Sequence, residues 1–173
     1  MLEIVVAPDE KKRAAIGWWF FEKSINYGQR WGEVYTNGEA SAVAVWFTPG
    51  QTELTPGRML RVGMGMLPFK VGLGGVSRFM KAMSVGEKFH KSVHGPHWYL
   101  LALGTKPEQQ GAGMGGALIE VGAAKADAAG VPCYLETATE SNVAFYTKRG
   151  FEVIAKEDVL GFTLWGMIRQ PVR

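Results

Sequence analysis

The stretch from Leu103 to Glu120, LGTKPEQQGAGMGGALIE, constrains this chain more than any other. An apolar run ends in a loop carrying Gly111, Gly113, Gly115 and Gly116. A helix follows in which Met114, Ala117, Leu118, Val121 and Ala124 recur at core spacing. Glycines at such a junction let the backbone approach a ligand closely and turn several N–H groups the same way. The helix N-terminus adds about half a positive charge, so the natural guest is a phosphate or pyrophosphate. A glycine-rich turn that serves only close strand–helix packing is the plain alternative.

The remaining segments arrange themselves around that junction. Pro8 and Asp9 introduce a helix over Glu10–Tyr27, with Ala15, Trp18, Trp19 and Ile25 on a broad apolar side and Gly28 as its end. A hairpin follows: Glu33–Thr36, a turn at Asn37-Gly38, then Ala40–Thr48. The run Ser41–Phe47 is apolar on both faces, as in an interior strand. Residues 49–96 hold five of the eight methionines (Met59, Met64, Met66, Met80, Met83) and helix-like patches at Val76–Met83 and Glu87–Val93. They read as two or three short helices over one side of a sheet. Beyond them, Trp98–Leu103 is a buried strand, Gly113–Ala129 a helix, Cys133–Thr137 a strand and Ser141–Arg149 a short helix. Phe151–Asp158 and Phe162–Ile168 close the chain as a hairpin turning near Leu160-Gly161. This order specifies an α/β (α+β) fold with a sheet of mixed direction flanked by helices, in one domain over residues 1–173. Met1–Val6 is a short opening strand or the tail of a missing element.

Composition narrows the classes. A chain of 173 residues can bury roughly 70% of the surface it exposes unfolded. Neither a bilayer-spanning apolar run nor a basic-then-apolar leader occurs, and apolar residues, 47% of the chain, are spread throughout. The lone Cys133 forms neither an internal disulfide nor a cysteine metal cluster, which suits a reducing cytoplasm. Nineteen Lys and Arg against sixteen Asp and Glu leave a net +3, without the basic stripe and interleaved aromatics of a nucleic-acid surface. The expectation is therefore no nucleic acid and no membrane partner.

Three phosphate-binding patterns compete for the glycine loop. A Walker loop needs Lys-Ser or Lys-Thr after its last glycine, and Ala117 follows Gly116, so that pattern fails. A dinucleotide fingerprint is matched only loosely by Gly111–Gly116; Glu136 lies within range of a ribose role, but the unit comes late in the chain. The third is the acetyl-CoA loop, Gln/Arg-x-x-Gly-x-Gly/Ala, which Gln110, Gly113 and Gly115 match.

A second segment decides among them. Leu135–Phe151, LETATESNVAFYTKRGF, runs from strand to short helix and ends in Gly-Phe. With this strand, Asn142, Phe145-Tyr146 and Gly150-Phe151 in order, the sequence resembles the GCN5-related N-acetyltransferase (GNAT) superfamily. The run His97–Thr105 (HWYLLALGT), the triplet Leu135-Glu136-Thr137 and the Asn-x-x-Phe-Tyr spacing are most similar to its puromycin N-acetyltransferase-like branch. The likeness is strongest from His97 to Ile154 and weaker over Gly32–Pro49. It implies the GNAT fold with a mostly antiparallel central sheet, acetyl-CoA as cofactor, and direct transfer of its acetyl group, in a ternary complex, to a primary amine of a small molecule. A protein or peptide acceptor and a non-catalytic acyl-CoA-binding module are the rival readings. Relatives usually carry a strand and helix before the segment matching Glu10–Tyr27, so the N-terminus reads as shortened. Either Met1–Val6 replaces that strand, a homodimer covers the gap, or the chain is cut short.

For the site, the resemblance implies that the backbone of Gln110, Gly111, Ala112, Gly113, Met114, Gly115 and Gly116 holds the pyrophosphate, with Gln110 shaping the loop. Ala112 stands where relatives often carry a basic residue. The pantetheine arm would pair like an added strand along Leu103, Gly104 and Thr105, with an N–H near Leu103 facing the thioester oxygen. Tyr146 is the candidate general acid, since a phenol of pKa ~10 can donate to a thiolate whose thiol has a pKa near ~8.5. A core aromatic with a satisfied hydroxyl is its other reading. Asn142, four residues earlier on the same helical face, would contact the pantetheine or position a water. Glu136 is the candidate base, directly or through water, because a carboxylate on a central strand is costly unless paired or functional. A structural ion pair or a hydrogen bond to a neighbouring strand explains it equally well.

Other conspicuous residues carry less. His90, His94 and His97 lie close together, but no carboxylate or thiol joins them locally and Gly95-Pro96 interrupts any shared helical face. No metal is expected, and a substrate contact is the better use of His97. Cys133 reads as a buried thiol and Trp18, Trp19, Phe20 and Phe21 as core. The methionine-rich 59–83 region reads as packing or as an adaptable acceptor wall.

Overall fold

Runs of β-branched and aromatic residues become six strands of one sheet in a computed structural model that describes residues 10–172. The strands are β1 Glu33–Thr36, β2 Ala42–Phe47, β3 Trp98–Thr105, β4 Cys133–Thr137, β5 Glu152–Val159 and β6 Phe162–Arg169, in the order β1-β2-β3-β4-β6-β5. Only β3 and β4 are parallel; every other pairing is antiparallel. A parallel pair needs a crossover, and the helix after the glycine loop supplies it. The mixed, mostly antiparallel sheet expected from the sequence is the one observed.

Five helices flank it: α1 Glu10–Trp31, α2 Pro56–Arg61, α3 Leu67–Lys91, α4 Met114–Ala129 and α5 Glu140–Thr147. Strand periodicity of two divides the core between the faces. Cys133 and Leu135 point to the face covered by α4 and α5, where they pack with Trp46, Trp98, Ile119, Tyr146 and Met167. Tyr134 points the other way, into a cluster with Tyr27, Phe47, Val85, Phe89 and Tyr99 under α1 and α3. No helix among the described residues is long and apolar enough to cross a membrane.

Five expectations need correction, and one falls outside the described residues. The buried face of α4 carries Leu118, Ile119, Gly122, Ala123 and Ala126, and Ala117, Val121 and Ala124, expected in the core, are exposed. Gly28 does not end α1, which runs on to Trp31. Gly28 is where the helix meets β2, and a Cβ there would overlap the Val45 side chain. Asn37-Gly38 does not form a two-residue turn. Residues 37–41 connect the strands, and the Asn37 side chain organises them, accepting from the Ser41 N–H at 2.8 Å and the Ala42 N–H at 3.0 Å. The patches Val76–Met83 and Glu87–Val93 belong to one helix, α3, kinked at Gly72 (φ 68°). Between the patches the Ser84 hydroxyl donates back to Lys81 O at 2.8 Å, within the continuing helix. Trp18 is not core but 67% exposed, whereas Trp19 and Phe20 do pack with Ile16, Leu67 and Phe79. The opening strand over Met1–Val6 lies outside the described residues. The closing hairpin turns as expected, with Leu160 (φ 55°) and Gly161 (φ 85°) both left-handed.

Gly122 shows how tightly α4 lies on the sheet. A Cβ at this position would overlap the indole of Trp46, which is fully buried. Helix propensity favours Ala over Gly by about 1 kcal/mol, but overpacking costs about 1–3 kcal/mol. Gly122→Ala is therefore expected to destabilise the protein, read as a lower midpoint in urea unfolding; a raised midpoint would refute this packing.

Candidate active site

The central feature is a fork between β3 and β4. They pair only from Trp98↔Cys133 to Leu100↔Leu135, yet β3 continues to Thr105 along β2. The register between β2 and β3 shifts at the same place: Val45 faces Ala102 and Trp46 faces Leu100, leaving Leu101 as an extra residue. A bulge bends and twists its strand, so β3 turns away from β4 where the parallel pairing ends. Burial follows, since Trp98, Tyr99 and Leu100 are buried and Leu101–Thr105 are only partly so. Beyond the fork, the β4-facing edge of Leu103, Gly104 and Thr105 has no strand partner among the described residues.

The glycine loop lies at the far end of that edge. Gln110 Nε2 donates to Thr105 O at 3.3 Å and ties the loop to β3. Gly111 (φ 84°) and Gly113 (φ 80°) take left-handed conformations, and a Cβ on either would meet nothing within 4 Å. The helix begins at Met114, with Ala117 N–H bonded to Gly113 O at 3.0 Å, so the N–H groups of Met114, Gly115 and Gly116 precede the first intrahelical bond. Thr55 caps α2 and Thr139 caps α5 through side-chain oxygens, whereas α4 has neither a capping side chain nor an acid in its first turn. Its positive end is left for another acceptor. Met114 also holds the loop in place. Its sulfur accepts from Asn37 Nδ2 at 3.3 Å and Ser41 Oγ at 3.1 Å, pinning the β1–β2 connection against the helix start. Arg149, unremarked in the sequence, brings a cation to the same rim. Its guanidinium donates to Phe145 O at 2.7 Å and lies where a Cβ on Gly116 would be.

On the α4–α5 face, Tyr146 packs against Phe145 and Phe151 and is 8% exposed. Burial pushes its phenol up to about 12, partly countered by the Arg149 charge. The ring is thus part of the core, while its hydroxyl makes no hydrogen bond among the described residues. Asn142 is exposed on the first turn of α5, its N–H held by the Thr139 cap at 3.3 Å. An open groove of about 500 Å³ runs along the other side of α5, lined among others by Val143, Thr147, Lys156 and Trp165.

Glu136 is the first β4 residue past the fork, on the opposite face under α3. Tyr99 Oη donates to its Oε2 at 2.6 Å and Tyr134 Oη to its Oε1 at 3.0 Å. Burial pushes the carboxyl up to about 7, and the two hydroxyls hold it below where burial alone would take it. Among the described residues no ion pair explains this carboxylate; hydrogen bonds from its own strand and the neighbouring one do. Both tyrosines escaped the sequence reading. The signal was the two-residue spacing of Tyr134 and Glu136, which places them on one face; Tyr99 becomes a partner only through the β3–β4 register. His90 and His97 meet despite Gly95-Pro96, with their Nε2 atoms 2.7 Å apart, and burial pulls His90 down to about 4. Cys133 is buried, its thiol pushed up to about 12.

The raised carboxyl of Glu136 has a consequence for stability. Its folded value lies above the ordinary 4.5, so the folded state holds the proton more tightly than the unfolded chain does. The contribution is fully present below about pH 4.5 and is lost as pH rises through about 7. Glu136→Gln keeps one acceptor and removes the charge. It is expected to stabilise the protein by on the order of 1–3 kcal/mol near pH 8 and by little near pH 4.5. Denaturant titrations at both pH values check this, and a pH-independent difference would count against it.

Known proteins are similar to this chain in sequence or fold. Residues 74–153 match the family model of the acetyltransferase (GNAT) domain. An uncharacterized N-acetyltransferase of Schizosaccharomyces pombe is 29% identical over 154 residues, covering 81% of this chain. The chain spans 60% of that relative's length. Among solved structures, Naa20 of Chaetomium thermophilum aligns over 98% of this chain and 77% of its own, with a TM-score of 0.52 and 16% identity. An agmatine N-acetyltransferase aligns over 78% and 73% with a TM-score of 0.52 and 15% identity. A Corynebacterium glutamicum structure described as histone acetyltransferase HPA2 and related acetyltransferase aligns over 81% and 64% with a TM-score of 0.50 and 20% identity. These structures share the fold of this chain, and its residues 74–153, which include the fork and the glycine loop, are similar to the acetyltransferase (GNAT) domain.

Proposed function

We propose that this chain is an acetyl-CoA-dependent N-acetyltransferase whose acceptor is the primary amine of a small molecule. The observation that carries the proposal is the fork itself: an unpaired β3 edge ends at an uncapped, glycine-fronted helix and begins between Glu136 on one face and Tyr146 on the other. The chemistry of these residues fits coenzyme A. The N–H groups of Met114, Gly115 and Gly116, with the open backbone at Gly111, Ala112 and Gly113, suit a diphosphate. The free edge at Leu103, Gly104 and Thr105 suits the amides of a pantetheine arm, bound as an added strand. Asn142 and Arg149 flank that path.

Bound acetyl-CoA supplies an activated acetyl thioester, whose carbonyl carbon forms a bond to the amine nitrogen while its bond to sulfur breaks. The chain's residues manage charge and protons. An N–H at Leu103 meets developing negative charge on the carbonyl oxygen. Glu136, with a carboxyl near neutrality, is suited to take the amine proton from the α3 face, directly or through one water. Tyr146 serves the leaving sulfur from the α5 face. Its raised phenol is a weaker acid than a thiol, so it acts first as a hydrogen-bond donor and gives up its proton only as the carbon–sulfur bond breaks.

A small acceptor is supported by α3, which closes over the Glu136 face, and by the adaptable wall of Met59, Met64, Met83 and Phe79 between α1 and α3. The alignment with Naa20, solved with a bisubstrate analogue, keeps a protein or peptide acceptor as the second reading. The open groove lies on the α5 face, away from Glu136, and lends the peptide reading nothing.

Calorimetry with coenzyme A, followed by a thiol-release assay on small amines, puromycin included, and N-terminal peptides, tests the proposal. Tyr146→Phe is expected to lower kcat by about 10²-fold while coenzyme A affinity stays within about twofold. Absence of coenzyme A uptake by folded protein would sink the proposal. Uptake without turnover on the whole panel would leave an acyl-CoA-binding module.

A further inference from the structure

We propose that Tyr99 and Tyr134 are positioning residues for the transfer reaction, holding one oxygen each of Glu136 at the fork, with the His90–His97 pair bracing the two rings from α3 and the start of β3. This inference rests on Glu136 as the base. Tyr134 and Glu136 share a face of β4, and Tyr99 faces Tyr134 across the parallel register. The three side chains therefore converge under α3. Their bonds are 2.6 Å to Oε2 and 3.0 Å to Oε1. A carboxylate offers about four acceptor positions, so an acceptor position on each oxygen stays open for an incoming N–H or water.

The surroundings leave the tyrosines as the groups that can keep this carboxylate ionised. α3 presents Gly86 to it, where an added Cβ would be 3.5 Å from Oε1 and 3.9 Å from Leu164 of β6. Gly166 of β6 makes room for the Tyr134 hydroxyl, which would lie 3.1 Å from a Cβ there. The titratable groups facing the cluster are Tyr99 from β3, Tyr134 from β4, His90 from α3 and His97 beside it; no cation is among them in the described residues. His90 lies parallel to Tyr134 (5.2 Å between centroids, 4° between planes) and 4.8 Å from Tyr99. The Gly95 carbonyl accepts from His97 Nδ1 at 2.9 Å, so neutral His97 offers Nε2 as the acceptor for His90 Nε2–H at 2.7 Å. That chain of contacts fixes the rings and aims both hydroxyls at Glu136.

Glutamate labelled with ¹³C at the carboxyl reports the effect without any turnover. Its NMR titration is compared in the wild type, Tyr99→Phe and Tyr134→Phe, with Glu136→Gln to assign the signal; Phe preserves the ring packing. Each Phe variant is expected to raise the Glu136 midpoint by about one pH unit, a tenfold change in proton affinity. The rising limb of the pH–kcat/KM profile should move up with it. Turnover then falls about fivefold at pH 7 and about tenfold a unit or more below it, recovers about two units above neutrality, and coenzyme A affinity is unchanged. Gly166→Ala, which crowds the Tyr134 hydroxyl without removing it, is expected to move the limb in the same direction. An unmoved midpoint, or a loss of turnover equal at every pH, overturns the positioning role. A moved midpoint in a protein whose turnover ignores Glu136→Gln overturns it too, by removing Glu136 as the base. Uptake of coenzyme A reads the cofactor site independently of either result.

Discussion

Parallel pairing between β3 and β4 lasts only from Trp98 to Leu100, and the extra residue at Leu101 ends it. Every functional assignment depends on that short contact. A longer ladder would satisfy the N–H and C=O groups of Leu103 and Thr105 within the sheet and leave no edge for an extended ligand. A shorter one would separate Tyr99 from Tyr134 and leave the Glu136 carboxylate buried without its second donor. An unpaired buried charge of that kind costs on the order of several kcal/mol. The bulge therefore leaves an unpaired edge and preserves a polar cluster within a few residues of each other.

The fork also sorts chemistry by face. Glu136, Tyr99, Tyr134 and His90 lie under α3, while Tyr146, Phe145 and the front of α4 lie on the other side. A proton acceptor and a proton donor on one face would neutralise each other through a direct hydrogen bond. Separated by the sheet, each keeps its own environment: burial with two donors brings Glu136 close to neutrality, and burial with no donor keeps the Tyr146 phenol protonated. The unlike environments follow from the alternation of side chains along β4 and the placement of α5.

Much of this was legible in the residues. The second half, from Trp98 to Arg169, has strands and helices close to their expected bounds because glycines, caps and short apolar runs punctuate it clearly. The first half was less legible. Gly28 resembles a break, but it lies inside a helix where a strand side chain fills the space of a missing Cβ. Asn37 resembles a tight-turn residue, but its side chain organises a longer connection. Trp18 resembles core, yet it projects from the outer side of α1. At Gly28 the overriding partner, Val45, is distant in sequence; at Asn37 the partners lie within the same connection; at Trp18 the helix turns the ring to solvent.

Tyr146 stood out through the family resemblance, whereas local chemistry in the chain itself determined the glycine-fronted helix, the order of strands and helices after Trp98, and Glu136 as a carboxylate in need of a partner or a role. These depend on φ preferences, periodicity and residue type, which act over a few positions. Tertiary structure alone decided that β3 leaves β4 after Leu100, that Tyr99 joins Tyr134 on one carboxylate, that His90 meets His97 across Gly95-Pro96, and that Glu136 and Tyr146 occupy opposite faces. Those outcomes depend on strand register and on which helix covers which face. Both are set by the packing of residues tens of positions apart, and no window along the sequence contains them.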